Sequence, residues 1–563
     1  MDYKLFKWSS GDINISYARA VLKTLGFEDS DFDRPVIGVV NSWSEVCPGH
    51  VHLRDLSTAV KAGIWQAGGT PVEFNVLSQC AAICAGQPEM RYDTPSRDII
   101  AAEIEIGAKI HELDGIVMLA TCDKNVPAAL LAAARLDLPS IIVPGGPMLP
   151  GYYEGKKYYL SDLDEYVFGG ITIDPNIPEV VRTLEDVVCP TFGACPVMGT
   201  ANTMQCLSEA VGLALPYSST APAISSMRLR IAKKSGKAIV ELTKRNITAR
   251  KILTENSLKN MCHVLMALGG STNAIVHVLA LAYELGLEDK INLDLIENIS
   301  QRTPCLTPIK PIGPYDLIDL HEAGGIPAVL KELGDLIDAE QLTVSGERIG
   351  EIANKAIVKK RDVIHTRSEP VYEHGGIAVL RGNLAKSSVV RVLAIRKELW
   401  HFRAPAIVFN SQEEALNFIR NKEIQEQSVI VVRYEGPRGG PGLTDVFPIV
   451  LSIVGKKLDT TLAVVTDGKV SGFARGPFVC QVNPEAAIGG PIALIEDGDI
   501  IEIDIKNRKL NVELSDVDLE KRKKDWQPPK RRIDNSILTI YSLLANQADK
   551  GAGLPIRIEQ TET

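Results

Sequence analysis

No two cysteines of this chain have the C-x-x-C spacing of a zinc ribbon or a ferredoxin-type ligand run, although 563 residues contain ten of them. They stand at 47, 80, 84, 122, 189, 195, 206, 262, 305 and 480. A disulfide framework is not expected, because the cytosol keeps thiols reduced. A metal cluster would have to gather single cysteines from distant loops. An apolar run of membrane-spanning length is also missing, and the opening MDYKLFKWSSGD has no signal-peptide core. A cytoplasmic protein without a membrane partner is therefore expected. Basic excess is absent too. Sixty-one Lys and Arg against 70 Asp and Glu leave a net charge of −9, which argues against nucleic acid as a main partner. The one basic run, residues 521–532 (KRKKDWQPPKRR), reads as a solvated linker around Pro528-Pro529. There is no internal repeat, no low-complexity tract and no P-loop or Rossmann fingerprint.

What is present fits an ordinary globular protein, with 45% hydrophobic and 23% charged residues. The length exceeds what one hydrophobic core supports, so at least two domains are expected. From about Arg34 to Pro150, short apolar runs alternate with helical stretches. The run Val36 to Val40 opens the series, and Leu53 to Ala67 is a helix candidate. A helical zone over residues 256–287 is broken by Gly269-Gly270-Ser271-Thr272-Asn273. The polar, basic segment 355–371 marks the boundary, giving an α/β domain over 1–365 and a β-rich domain over 366–563. In the second, Ile501 to Ile505 and Leu510 to Leu514 alternate strictly across a turn at Asn507-Arg508. A barrel with a few helices is expected there.

Cys122-Asp123-Lys124 places a thiol, a carboxylate and an amine at the exit of the apolar strand 113–120, just before a helix over Pro127 to Arg135. With Ile141-Ile142-Val143 this reads as a βαβ unit, whose ligands bind at the carboxyl ends of strands. A cysteine beside a helix N-terminus tends toward thiolate, hence toward metal binding or nucleophilic attack. Taken alone, the tripeptide also suits a buried Cys beside a surface ion pair. Two glycine-rich loops follow strands in the same way: Gly436 to Gly442, with Asp445 three residues on, and Thr466 to Gly472. Such loops admit close backbone approach to a ligand, though each alone is more often a turn.

Together these pieces resemble one family. NSWSE at 41–45, CDK at 122–124, GAC at 193–195, GTANTM at 199–204 and GGSTNA at 269–274 occur in this order. They are followed by GGIAVLRGNLA at 375–385, EGPRGGPG at 435–442, TDGKVSG at 466–472 and NPEAAIGGPIALIEDGD at 483–499. The set resembles the dihydroxy-acid dehydratase / phosphogluconate dehydratase family of iron–sulfur hydro-lyases. The resemblance implies a three-layer α/β/α N-terminal domain, a β-barrel-like C-terminal domain and a homodimer or homotetramer. It implies dehydration of a 2,3-dihydroxy acid, branched-chain or sugar acid, to a 2-keto acid. It also implies a [2Fe–2S] or [4Fe–4S] cluster as Lewis acid on the 3-hydroxyl and Mg²⁺ on the substrate carboxylate and 2-hydroxyl. Cys122 and Cys195 match cluster ligands, Asp123 a Mg²⁺ ligand, and Lys124 the lysine carried as a carbamate. Asp445 stands where a glutamate ligand is usual, and Ser471 matches the base. The Pro-Ala after Asn125-Val126 is closer to the sugar-acid branch, so a polyhydroxy acid is the expected substrate.

Two positions depart from the family pattern. Pro48-Gly49-His50 has glycine where a cluster cysteine is usual, and Ala81 stands where an acidic metal ligand is usual. Cys47 through a shifted loop, or Cys80 or Cys84, could supply the third thiolate; a degenerate, non-catalytic binding or sensor protein, or an enzyme catalysing a different elimination or isomerisation, are the other readings. His50 could ligate iron, or be packed like His52. Glu89 could replace the lost acid, or merely start a helix. Lys469 and Arg475 could meet a carboxylate or lie at the surface, and Thr200 and Ser271 could donate to substrate. Cys189, Cys206, Cys262, Cys305 and Cys480 read as ordinary buried residues.

Overall fold

The computed structural model describes residues 7–9, 11–169, 177–472, 474–530 and 536–557. The start of the opening segment and the end of the basic run lie outside the described residues. The first sheet consists of β1 (Val36–Asn41), β2 (Thr70–Asn75), β3 (Gly115–Ala120) and β4 (Ser140–Pro144), in the order β2-β1-β3-β4. All its pairings are parallel. β1 and β3 are buried at every position, as near-continuous apolar strands covered on both faces must be. The covering layers include the helices Leu53–Gln66, Asp93–Ile110 and Asn125–Leu136. This is the three-layer α/β arrangement expected from the sequence.

The chain runs from β1 outward to β2, then returns to place β3 on the other side of β1. The crevice where strand order reverses therefore opens at the carboxyl ends of β1 and β3, the place where open α/β sheets bind ligands. The loop carrying Cys47 to His52 leaves β1, and Cys122-Asp123-Lys124 leaves β3. The predicted helical zone is two helices, Glu255–Ala267 and Asn273–Leu285, with the Gly-Gly-Ser-Thr turn between them. A small hairpin, β5 (Gly151–Tyr153) with β6 (Lys156–Tyr158), follows the first sheet.

The second sheet has eight strands in the order β14-β13-β9-β10-β11-β12-β8-β7. These are β7 (Ile377–Leu380), β8 (Ser387–Arg391), β9 (His401–Phe409), β10 (Ser428–Val432), β11 (Leu462–Thr466), β12 (Phe478–Asn483), β13 (Ile500–Asp504) and β14 (Lys509–Val512). Its two edges meet. Arg381, just past β7, donates its N–H to Arg508 at 3.0 Å, and its carbonyl accepts from Leu510 at 3.0 Å. The sheet is thus barrel-like, with an apolar interior that includes Val429, Val431, Ala463 and Val465. The alternating pair β13 and β14 is antiparallel, joined through Arg508 at φ 59°. β10 and β11 are parallel neighbours. Their exits are the loops that carry Asp445 and Ser471.

Candidate active site

A cavity of about 300 Å³ lies where the strand exits of both sheets meet. Its wall takes Cys80, Cys122, Asp123, Cys189 and Cys195 from the first domain, and Asp445, Phe447 and Ser471 from the second. The cavity thus brings thiols, carboxylates and a serine together. Ile83, Met148, Leu160, Val197 and Phe447 add apolar wall, and Thr200 and Asn202 add polar groups.

Among the thiols, Cys47 Sγ lies 3.6 Å from Cys122 Sγ, and both residues are buried. Gly49 explains how they fit. A Cβ at that position would sit 2.4 Å from Cys122 Sγ, so glycine leaves the Cys122 thiol its room. Cys80 lies near both thiols on the same wall. The three titrate together. Bonds from Cys122 and Cys47 hold Cys80 well below the usual thiol range, while the same contacts push Cys122 up. Cys195 is half-buried on the same wall. Cys84 points elsewhere, its Sγ 3.5 Å from the Ala81 carbonyl.

His50 is within metal-ligating distance of Cys47 and Cys122, but both its nitrogens are engaged. Nδ1 donates to the Ser42 carbonyl at 2.7 Å, and Nε2 accepts from the Cys122 backbone N–H at 3.0 Å. It is a packed, neutral imidazole that orients Cys122; burial pulls its pKa down to about 4. His52 bonds the Gly145 carbonyl at 2.9 Å and stacks on Phe192.

Among the carboxylates, Asp445 Oδ1 accepts the Ser471 N–H at 2.9 Å, and Oδ2 accepts from Asn273 Nδ2 at 2.9 Å. Gly472 must be glycine, since a Cβ there would lie 2.5 Å from the Ser271 Cβ. Ser271 Oγ in turn meets Thr200 Oγ1 at 2.9 Å, so of this pair only Thr200 lines the cavity. Asp123 lines it as well; burial raises its carboxyl to about 6 despite the Lys124 charge beside it.

Behind this wall lies a group that sequence reasoning passed over. Asp93, the first residue of the helix Asp93–Ile110, is fully buried. Its Oδ2 is 2.9 Å from Lys124 Nζ and 2.7 Å from Lys469 Nζ, and Oδ1 accepts from Gln79 at 2.8 Å. Burial works to raise its pKa, but the two ammonium groups outweigh it and hold the carboxyl well below the carboxylate range. Lys469 reaches on to Asp445 Oδ2 at 3.3 Å. Glu89, considered as a replacement acid, is exposed on the 3₁₀ turn Pro88–Tyr92. Arg475 pairs with Glu165 near the surface at 2.8 Å.

One further correction concerns Cys189. It is not a buried core residue; it is exposed and lines the cavity, whereas Cys206, Cys262, Cys305 and Cys480 are buried as expected. Arg391, at the end of β8, was also missed. Fully buried, it donates to the carbonyls of Gly269, Met198 and Gly472, tying together the loops that carry Ser271, Thr200 and Ser471.

An α/β domain and a barrel-like domain enclosing thiols, carboxylates and a serine in one cavity mark a two-domain enzyme. The chain belongs to the dihydroxy-acid/6-phosphogluconate dehydratase family: residues 34–352 match its N-terminal model and 362–552 its C-terminal model. A dihydroxy-acid dehydratase of Caldanaerobacter subterraneus subsp. tengcongensis is 47% identical over 537 residues, 95% of this chain and 96% of the relative. Dihydroxy-acid dehydratases of Ignicoccus hospitalis and Pyrococcus furiosus are 45% and 43% identical, each over 95% of this chain and 97% of their own length.

Proposed function

We propose that this enzyme dehydrates a 2,3-dihydroxy acid with a branched alkyl group at C3 to the 2-keto acid, using an iron–sulfur cluster and Mg²⁺. The cavity carries the reading, since its lining combines soft donors with hard donors and a serine. Cys47, Cys122 and Cys195 would hold the cluster. Asp123, Asp445 and Lys124 as its carbamate would hold Mg²⁺. The donor set fits both groups. Cys47 and Cys122 already stand side by side, and the fully buried Lys124 Nζ, ion-paired with Asp93 at 2.9 Å, makes no hydrogen bond among the described residues. When bound, the cluster iron supplies a Lewis acid for the departing 3-hydroxyl, and Mg²⁺ supplies one for the carboxylate and 2-hydroxyl.

The protein's own part is proton removal, orientation and exclusion of water. Ser471, as its alkoxide, takes the proton from C2. The C–H electron pair becomes the C2=C3 bond while the C3–O bond breaks, and the enol tautomerises to the keto acid. The backbone bond from Ser471 to Asp445 holds the base beside that carboxylate. The bound metals would supply the positive charge that favours the anionic serine.

The apolar wall of Ile83, Met148, Leu160, Val197 and Phe447 favours an alkyl substituent over the extra hydroxyls of an aldonic acid, which would find few partners there. This outweighs the Pro-Ala hint toward a sugar acid. Anaerobically purified protein should contain iron and labile sulfide in equal amounts and take up Mg²⁺. A colourless protein after reconstitution with iron and sulfide would overturn the cluster assignment.

A further inference from the structure

We infer that Asp93 is the carboxylate that completes the divalent-cation site, taking over from the loop 80–89, where Ala81 has no donor to offer. The inference rests on the Mg²⁺ reading above and adds a ligand from a different element, the start of the helix Asp93–Ile110.

Asp93 and Asp445 come from the two domains, yet they already share one positive centre. The Lys469 ammonium lies 2.7 Å from Asp93 Oδ2 and 3.3 Å from Asp445 Oδ2. Asp93 and Asp445 are buried with the ammonium groups of Lys124 and Lys469, and Asp123, next to Lys124 in the chain, lines the adjoining cavity. A helix first turn is a favourable place for such a carboxylate. An independent observation marks the arrangement as incomplete. Lys124 Nζ, fully buried, stands 2.9 Å from Asp93 Oδ2 without hydrogen-bond geometry, and Asn273 Oδ1 has no partner either. Once Lys124 is a carbamate it no longer neutralises Asp93, and the cluster gains negative charge that only a cation can offset. Mg²⁺ favours such hard oxygen donors. Asp93 then exchanges an ammonium for the metal, while Lys469 remains as its second-sphere cation. The competing role, a counter-ion for two buried lysines and nothing more, leaves Asp93 outside the coordination sphere.

The test uses Mn²⁺ as the probe on the full-length protein. Electron paramagnetic resonance titration gives affinity and stoichiometry for wild type, Asp93→Asn and the surface control Glu89→Gln. Anomalous scattering from wild-type crystals soaked in Mn²⁺ locates the ion without any variant. The inference expects wild type to bind one Mn²⁺ within about 2.5 Å of an Asp93 oxygen. It expects Asp93→Asn to weaken binding at least about tenfold, with Glu89→Gln unchanged. If wild type binds Mn²⁺ but the ion sits on Asp123 and Asp445 with Asp93 still on its lysines, the assignment of Asp93 is overturned while the metal reading stands. If wild type binds none, with bicarbonate present to carbamylate Lys124, both fall. Should Asp93→Asn fail to fold, the position of the ion in wild type decides the matter.

Discussion

The Sγ atoms of Cys47 and Cys122 lie 3.6 Å apart at the carboxyl ends of two neighbouring parallel strands. Two thiols held this close without a disulfide are a ready pair of soft donors. Cys47→Ser should therefore lower bound iron from about two or four per chain to less than about one. Cys84→Ser, whose thiol faces the Ala81 carbonyl, should keep the wild-type content. Iron and labile sulfide analysis with a visible spectrum checks both.

Ser471 is anchored by its backbone N–H, so removing its hydroxyl leaves the Asp445 contact in place. Ser471→Ala should lose at least about a thousandfold in kcat, in the range of a removed catalytic base. Melting temperature, iron content and Mn²⁺ affinity should stay at wild-type values. A parallel loss of metal would instead make the serine structural.

Asp93→Asn would leave two buried ammonium groups facing an amide. Breaking such a pair should destabilise the metal-free protein by about 3 kcal/mol at pH 7. The sign with pH follows from the depressed carboxyl. Its contribution is present above the unfolded carboxylate value of about 3.9 and disappears as the pH falls below it. Denaturant unfolding of wild type and variant at pH 7 and at about pH 2 should show the gap shrinking at the lower pH.

His50 acts in the opposite sense. Its pKa is pulled down from 6.5 to about 4 by burial, and its Nε2 lone pair is already used by the Cys122 N–H. The unfolded chain binds this proton more readily, so stability is full above 6.5 and falls as the pH drops from there through about 4. The loss reaches at most about 3 kcal/mol. His50→Gln should flatten that part of the melting profile.

Arg391 holds three loops by their carbonyls and has no acid hydrogen-bond partner among the described residues. Arg391→Met should cost about 3 kcal/mol through carbonyls left unsatisfied. Arg391→Lys should recover part of the stability while still lowering kcat, because one ammonium cannot span Gly472, Gly269 and Met198 together. Thermal melts and steady-state kinetics separate the two effects.

Much of the first domain is legible in the sequence because its strands are short apolar runs that end in chemistry. Gly115 to Ala120 followed by Cys122-Asp123-Lys124 needs only local pattern. The same holds for β10 and β11 with Asp445 and Ser471 at their exits. The barrel is less legible. β13 and β14 alternate visibly, but the closure of Arg381 on Arg508 and Leu510 joins segments that share no local signal.

Asp93 escaped for a related reason. Four residues past Glu89, it looks like an ordinary acid at a helix start, and only the fold brings Lys124 and Lys469 to it. A search for any acid able to stand in for Ala81 would have included it. Cys189 escaped because a lone cysteine carries no spacing, and its exposure beside Cys195 is a tertiary fact. The role of His50 was undecidable from sequence, since it depends on which backbone groups meet its two nitrogens.

The most direct test of the account is the rate of 2-keto acid formation by anaerobically prepared enzyme. A 2,3-dihydroxy acid with a branched alkyl group at C3 should be compared with a straight-chain aldonic acid. The apolar wall predicts kcat/KM about a hundredfold higher for the branched acid, with activity lost in Ser471→Ala. Preference for the aldonic acid, or no keto acid from either substrate by iron-replete enzyme, would contradict it.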